Sequence, residues 1–217
     1  MSLLTNLNEL IFPSRCISCT QLGLRLCLTC RVEWRNLELR TKLRRSHQEL
    51  NVFSFTYYTP TAQKIILSAK ESHITFADQL LVDALTETVR RILKDVRVDL
   101  LIPIPSRKGV TRKRGRQFVG ELTERVACEL SIPTRSILRH RRNVRDQSAL
   151  NGEERWNNLE GALVIEGAED FPSDARVLLV DDLATTGATL LEAARAVKYA
   201  GIEVIGGVTA ALAKPLR

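Results

Sequence analysis

The sequence predicts a mixed α/β domain, a mostly parallel sheet with helices on both faces, carrying a small cysteine-rich unit at its N-terminus. Three observations predict it. Apolar, strand-like runs alternate with helix-spaced segments from Val52 onward, the pattern of a parallel sheet covered on both sides. Two Cys-x2-Cys pairs stand close together near the start. A run of small and hydroxyl residues follows the apolar run Val177–Val180 and precedes a helix-like segment, and strand-to-helix turns are where such sheets take their ligands.

The size agrees with one full domain and a small appendage, since 217 residues correspond to about 1.4 average domains. With 44% hydrophobic and 26% charged residues, the chain is neither disordered nor fibrous. Lys and Arg number 32 against 25 Asp and Glu, a net charge of +7, which suits an anionic partner such as phosphate or nucleic acid. No stretch approaches the roughly 18 apolar residues of a membrane span, and even the run from Ile202 to Ala213 carries Glu203. The start lacks a basic leader, and Leu3, Leu4, Leu7, Leu10 and Ile11 fall at the spacing of a short amphipathic helix. A cytoplasmic location is the expectation.

The first element is the cysteine unit. Cys16-Ile17-Ser18-Cys19 and Cys27-Leu28-Thr29-Cys30 can each wrap one side of a tetrahedral zinc ion at about 2.3 Å per sulfur. Gly23 offers the positive-φ turn that returns the second pair to the first. Two disulfides, or a redox dithiol, are the alternative uses of four thiols; a reducing compartment disfavours the first and the presence of two pairs disfavours the second. Four protein ligands leave no position for substrate, so this ion folds a unit and does not catalyse. The fifth cysteine, Cys128, stands alone in a helix-like segment and reads as helix packing. His47, His73 and His140 lie apart and suggest no site.

From Arg31 to about Leu50 the chain is polar, with Arg40, Lys42, Arg44 and Arg45 close together. This reads as a connector, either a solvated charged segment or a contribution to a nucleic-acid face. Val52–Tyr58 alternates and is aromatic, so it predicts a strand. Pro60 can open a helix toward Lys70 with Ile65, Ile66 and Ala69 on its apolar side. Asp78–Lys94 predicts a second helix, Val98–Pro103 a short strand, and Phe118, Leu122, Val126 and Leu130 a third helix. Arg176–Asp181 reads as a buried strand, Thr189–Ala200 as a helix ended by Gly201, and Glu203–Ala210 as a final strand. The loops after Pro103 and Val180 are therefore where a ligand should lie.

After the second of those strands comes Asp181-Asp182-Leu183-Ala184-Thr185-Thr186-Gly187-Ala188-Thr189. Small and hydroxyl residues at a strand-to-helix turn expose backbone N–H groups and aim a helix N-terminus at an anion. Two carboxylates beside a phosphate cradle make sense when the ligand also presents hydroxyls or a magnesium ion, as a ribose 5-phosphate does. An N-cap turn with ordinary capping aspartates is the simpler alternative. Arg107, Lys108, Arg112, Lys113, Arg114 and Arg116 place six cations in ten residues without an acid, enough to neutralise a polyanionic leaving group, or else form a solvated basic face.

The stretch from Val177 to Leu190 resembles the phosphoribosyl pyrophosphate (PRPP) signature of type I phosphoribosyltransferases. Over nearly the whole chain the resemblance is to the ComF/GntX family of competence-related proteins, which joins a four-cysteine zinc motif to a phosphoribosyltransferase-like domain. The matching features are Cys16, Cys19, Cys27 and Cys30, Lys70 at the end of an early helix, Arg114-Gly115-Arg116-Gln117, Gln147-Ser148-Ala149-Leu150, and Glu154-Arg155. The basic segment is one residue shorter than the family's spacing. The resemblance implies a type I phosphoribosyltransferase-like fold at residues 50–217, and a double zinc ribbon-like mini-domain at 1–40.

It further implies that Thr185, Thr186, Gly187, Ala188 and Thr189 hold the 5-phosphate, and that Asp181 and Asp182 hold the ribose hydroxyls. Ser106, Arg107 and Lys108 would meet pyrophosphate, with Lys70 and Gln147 also in the binding set and Arg107 counted with the two aspartates as catalytic. Residues 139–152 would close over the site. Zinc is the implied structural ion, and magnesium is expected with PRPP. Hypoxanthine-type members carry an Asp where Thr185 stands, so the resemblance points away from a 6-oxopurine acceptor. Two activities follow: transfer of phosphoribosyl to a nitrogen acceptor, or a competence protein for DNA uptake that binds single-stranded DNA and partners with other competence proteins.

Overall fold

The computed structural model describes residues 14–72, 74–106, 109, 111–112, 115–141, 154, 159–167 and 174–214. The expected N-terminal helix around Leu3–Ile11, His73, Arg107, Lys108, Lys113, Arg114, Arg142, Arg145, the Gln147–Leu150 segment and Arg155 lie outside them.

The described residues open with the cysteine knuckle, which holds the short helix α1 (Leu28–Glu33), followed by a hairpin of β1 (Leu39–Arg45) and β2 (Gln48–Tyr57). Helices α2 (Pro60–Ser72) and α3 (Thr75–Ile92) lead to β3 (Leu100–Pro103), and α4 (Phe118–Leu130) to a short ribbon of β4 (Leu138–His140) and β5 (Leu163–Ile165). Strand β6 (Arg176–Ala184), helix α5 (Ala188–Tyr199) and β7 (Glu203–Leu212) complete the fold. The main sheet runs β1-β2-β7-β6-β3, with β1 antiparallel to β2 and every other pairing parallel.

The pleat divides the core into two layers. Leu178 and Val180 of β6, with Leu101 of β3, join the cluster under α2, α3 and α4, whereas Val177 and Leu179, with Leu100 and Ile102, join the cluster under α5 and the ribbon. Successive strand residues point to opposite faces, so a continuous apolar run serves both layers.

Two expectations are corrected here. The segment from Arg31 to Leu50 is not a connector: it contains β1 and the start of β2, paired from Leu39 with Ser54 to Arg45 with Gln48. Leu39, Thr41 and Leu43 are half-buried between exposed Arg40, Lys42 and Arg44, a period-2 pattern hidden by its charge. Cys128 does not pack in the core but is exposed. It lies off the buried stripe of α4 formed by Phe118, Val119, Leu122 and Val126.

The knuckle shares the first core cluster. Cys16, Leu26, Cys27, Cys30 and Trp34 pack with residues of α2 and α3, and Ser18 Oγ lies 3.0 Å from Thr61 Oγ1 at the start of α2. No helix among the described residues is long and apolar enough to cross a membrane.

Candidate phosphate and sugar site

Strand β6 extends through Asp181 and Asp182 to Ala184, so both carboxylates sit on the strand itself rather than in the turn. Asp182 lies two residues beyond Val180, and Lys70, in the last turn of α2, brings its Nζ to 2.6 Å from Asp182 Oδ2. Both side chains are largely buried, at 20% and 6% exposure; an ion pair so shielded is screened little by salt. Asp181 Oδ1 accepts the backbone N–H of Asp182 at 2.9 Å. Although part of Asp181 reaches the surface, the protein around its carboxyl raises it well above the usual carboxylate range. Desolvation is the main cause and the neighbouring Asp182 charge the second, with Lys70 offsetting part of the rise.

The cradle follows as a bend over Thr185–Gly187 into α5. Gly187 is the N-cap with φ 77°, and Ala188 N–H donates to Thr186 Oγ1 at 3.3 Å. The first-turn amides of a helix lack intrahelical acceptors and carry the positive end of its dipole, which suits phosphate. A Cβ at Gly187 would come within 2.2 Å of Leu43 Cδ1, so the β1–β2 hairpin presses directly on the cradle.

At the end of β3 is a cleft of about 390 Å³ lined in part by Pro105, Ser106, Gln117, Arg139, His140 and Glu166. His140 Nε2–H donates to Pro105 O at 3.2 Å, and Arg139 pairs with Glu166 at 3.4 Å. The β4–β5 ribbon is tied to α5 by Glu192, whose Oε1 accepts Leu163 N–H at 3.0 Å, and by Arg195, which donates to Leu163 O at 3.0 Å.

Of the predicted site residues, the structure brings together Lys70 and Asp182 by direct contact, and places Asp181 and the Thr185–Thr189 turn on the same strand-to-helix unit. Ser106 lines the neighbouring cleft, while Arg107, Lys108 and Gln147 are outside the described residues. One member of the cation cluster is corrected: Arg116 is committed to Asp78 in a bidentate ion pair at 2.8 and 2.9 Å, so it is not available to a leaving group. His140, isolated in the sequence, lines this cleft beside Pro105; a single histidine carries no spacing signal, and only the fold carries it there.

The four thiol sulfurs lie within 4.8 Å of one another, a spacing that one tetrahedral ion with about 2.3 Å bonds can bridge. Burial alone would raise the Cys16 thiol, but backbone N–H groups of Cys27, Cys19 and Ser18 bring it down to about 6. Cys19, although helped by the backbone at Gln21, shares protons with Cys16 and Cys27 and is pushed up to about 12. Thiols crowded this closely, with one already favouring the thiolate, are suited to a cation among them.

A family profile described as "Phosphoribosyl transferase domain" matches residues 109–215. Competence protein F of Haemophilus influenzae is 29% identical over 108 residues, which are 49% of this chain and 47% of that protein. The match thus spans about half the length of that curated relative. Among solved structures, adenine phosphoribosyltransferase from Saccharomyces cerevisiae aligns with a TM-score of 0.42 at 16% identity, over 81% of this chain and 83% of that one. Orotate phosphoribosyltransferase from Aeropyrum pernix aligns at 0.42 and 17%, over 83% and 77%.

Residues 109–215 thus carry a domain of phosphoribosyltransferase type, and in it the strand β6, parallel to both its neighbours, runs through an acid pair into a threonine turn. Over about half its length the chain is similar to Competence protein F, and it carries a four-cysteine cluster toward its N-terminus.

Proposed function

We propose that this chain binds PRPP together with magnesium and transfers its phosphoribosyl group to a nitrogen acceptor held in the cleft beside β3. The observation that carries the proposal is the Lys70–Asp182 ion pair at the carboxyl end of β6, one turn before the N-terminus of α5. In this reading Asp181 and Asp182 accept from the ribose hydroxyls, and Thr185–Thr189 hold the 5-phosphate. Ser106, with Arg107 and Lys108, meets the pyrophosphate. Gln147 belongs to the segment that covers the ligand.

Bound magnesium supplies charge neutralisation to the pyrophosphate. The C1–oxygen bond breaks as the acceptor nitrogen bonds to C1, pyrophosphate leaves with the bonding electron pair, and the nitrogen gives up its proton to solvent. A fixed carboxylate near the ribose stabilises the positive charge that builds on the sugar ring. The cysteine cluster holds a structural zinc.

The test is ligand binding followed by turnover. A ligand at 100 times its Kd stabilises the native state by about 2.7 kcal/mol, so PRPP with magnesium should raise the melting temperature of the wild type. Asp181→Asn/Asp182→Asn should abolish the shift, and an equal shift in that double variant would overturn the ribose assignment. A panel of bases and amines, scored for pyrophosphate release, then identifies the acceptor.

The likeness to Competence protein F and the +7 net charge favour a second reading, a DNA-handling protein that binds single strands through phosphate contacts. The hairpin cations are partly engaged, since Lys42 and Arg44 both pair with Glu49 at 2.8 Å. Log affinity for single-stranded DNA should fall with log salt by about 0.7 per phosphate neutralised. No retention at about 50 mM salt, where such contacts are strong, would remove this reading.

A further inference from the structure

We propose that Arg116 is the positioning residue for Lys70, fixing the ammonium at Asp182 so that the acid pair is set for the sugar ligand; this rests on the site reading above. Arg116 is only 15% exposed, and its guanidinium fork joins three helices. Nη1 and Nη2 donate to the two carboxylate oxygens of Asp78 in the first turn of α3, at 2.8 and 2.9 Å. Nη1 also reaches Glu121 Oε2 on α4 at 3.1 Å. Nη2 donates to the carbonyl oxygen of Ala69, the residue before Lys70, at 2.9 Å.

A second link runs through one ring. Phe118, buried at 1% exposure, has the Arg116 guanidinium 4.9 Å from its centroid and the Lys70 ammonium 5.7 Å away. Two cations on one ring repel each other, and each is balanced by its own carboxylate: Asp78 for Arg116 and Asp182 for Lys70. The Ala69 bond therefore holds the backbone from which Lys70 projects, and the shared ring limits where its ammonium can lie. A bond to α3 alone would hold the helices together, but only the bond to Ala69 addresses Lys70. The contacts need a planar fork that donates in several directions at once, which lysine cannot supply.

The experiment is a double-mutant cycle on ligand affinity, with ribose 5-phosphate and PRPP with magnesium as probes in titration calorimetry. Arg116→Ala is expected to weaken ribose 5-phosphate about tenfold, within the usual range for coupled contacts. In the Lys70→Met background the same substitution should change affinity by less than about twofold, because what Arg116 acts through is already gone. Its effect on melting temperature should be the same in both backgrounds, since the Asp78 pair is lost in each. Arg116→Lys keeps a charge for Asp78 and protects against a folding failure; it should reproduce most of the affinity loss.

Wild-type affinity in both Arg116 variants would overturn the proposal while leaving the site reading intact. A full tenfold loss that persists beside Lys70→Met would also overturn it. Failure of the wild type to bind either probe would overturn the site reading and the proposal with it.

Discussion

Gly187 carries two constraints at one atom, a positive φ of 77° and the Leu43 side chain where its Cβ would be. Gly187→Ala should cost about 1–3 kcal/mol in urea denaturation, from backbone strain and overpacking together. Adding Leu43→Ala should recover the steric part and leave the φ part, and full recovery would show that the backbone tolerates alanine. Asp181 sets a pH dependence. Its carboxyl titrates near 3.9 in the unfolded chain, and burial first, then Asp182, holds it well above that in the folded one. The folded state thus keeps a proton the unfolded state has lost, so the stabilisation is present below the unfolded value and fades as pH rises through the folded value. Asp181→Asn should flatten that part of the melting curve against pH and raise the melting temperature at neutral pH; a lower value there would contradict the assignment.

The elements were legible in the sequence where burial was complete. Arg176–Asp181 was legible because both faces of β6 are covered and nearly every residue is apolar, and α5 because Gly187 and Gly201 bracket a clear apolar stripe. The edge strand β1 was not, since a strand with one half-buried face and three exposed basic residues looks like a solvated linker. The turn after β6 and its two aspartates stand out in the sequence as a local motif, whereas the Lys70–Asp182 pairing is visible only once α2 is laid along the sheet. The same holds for Arg116, which local charge counting assigned to an anion and the fold assigned to Asp78. The tie between α5 and the ribbon gives an element-scale prediction. Glu192→Ala leaves the buried Leu163 N–H without its acceptor and should cost about 1–3 kcal/mol. Glu192→Gln retains an oxygen there and should cost less; equal losses by chemical denaturation would show that the Arg195 charge pair, not the amide bond, matters.

On the scale of the whole molecule, the knuckle and the sheet domain bury one common cluster that runs from Cys16 and Trp34 into α2 and α3. Loss of the proposed zinc should therefore destabilise more than the first forty residues. A chelator or Cys16→Ser is expected to lower a single unfolding transition, with tryptophan fluorescence and far-ultraviolet dichroism changing together. Two separate transitions would mark two independent units. The hairpin that braces the cradle also ends the sheet, and its Arg40, Lys42 and Arg44 stand exposed along the outermost strand. At the opposite border, Leu101 of the four-residue β3 is already occupied by Pro133, Thr134 and Arg135 through backbone pairing. Both borders thus resist strand addition, one through the charged side chains it presents and one by occupancy. Exchanging the three cations of β1 for threonine would remove those charged side chains from the edge, and light scattering should then report slow, salt-insensitive self-association.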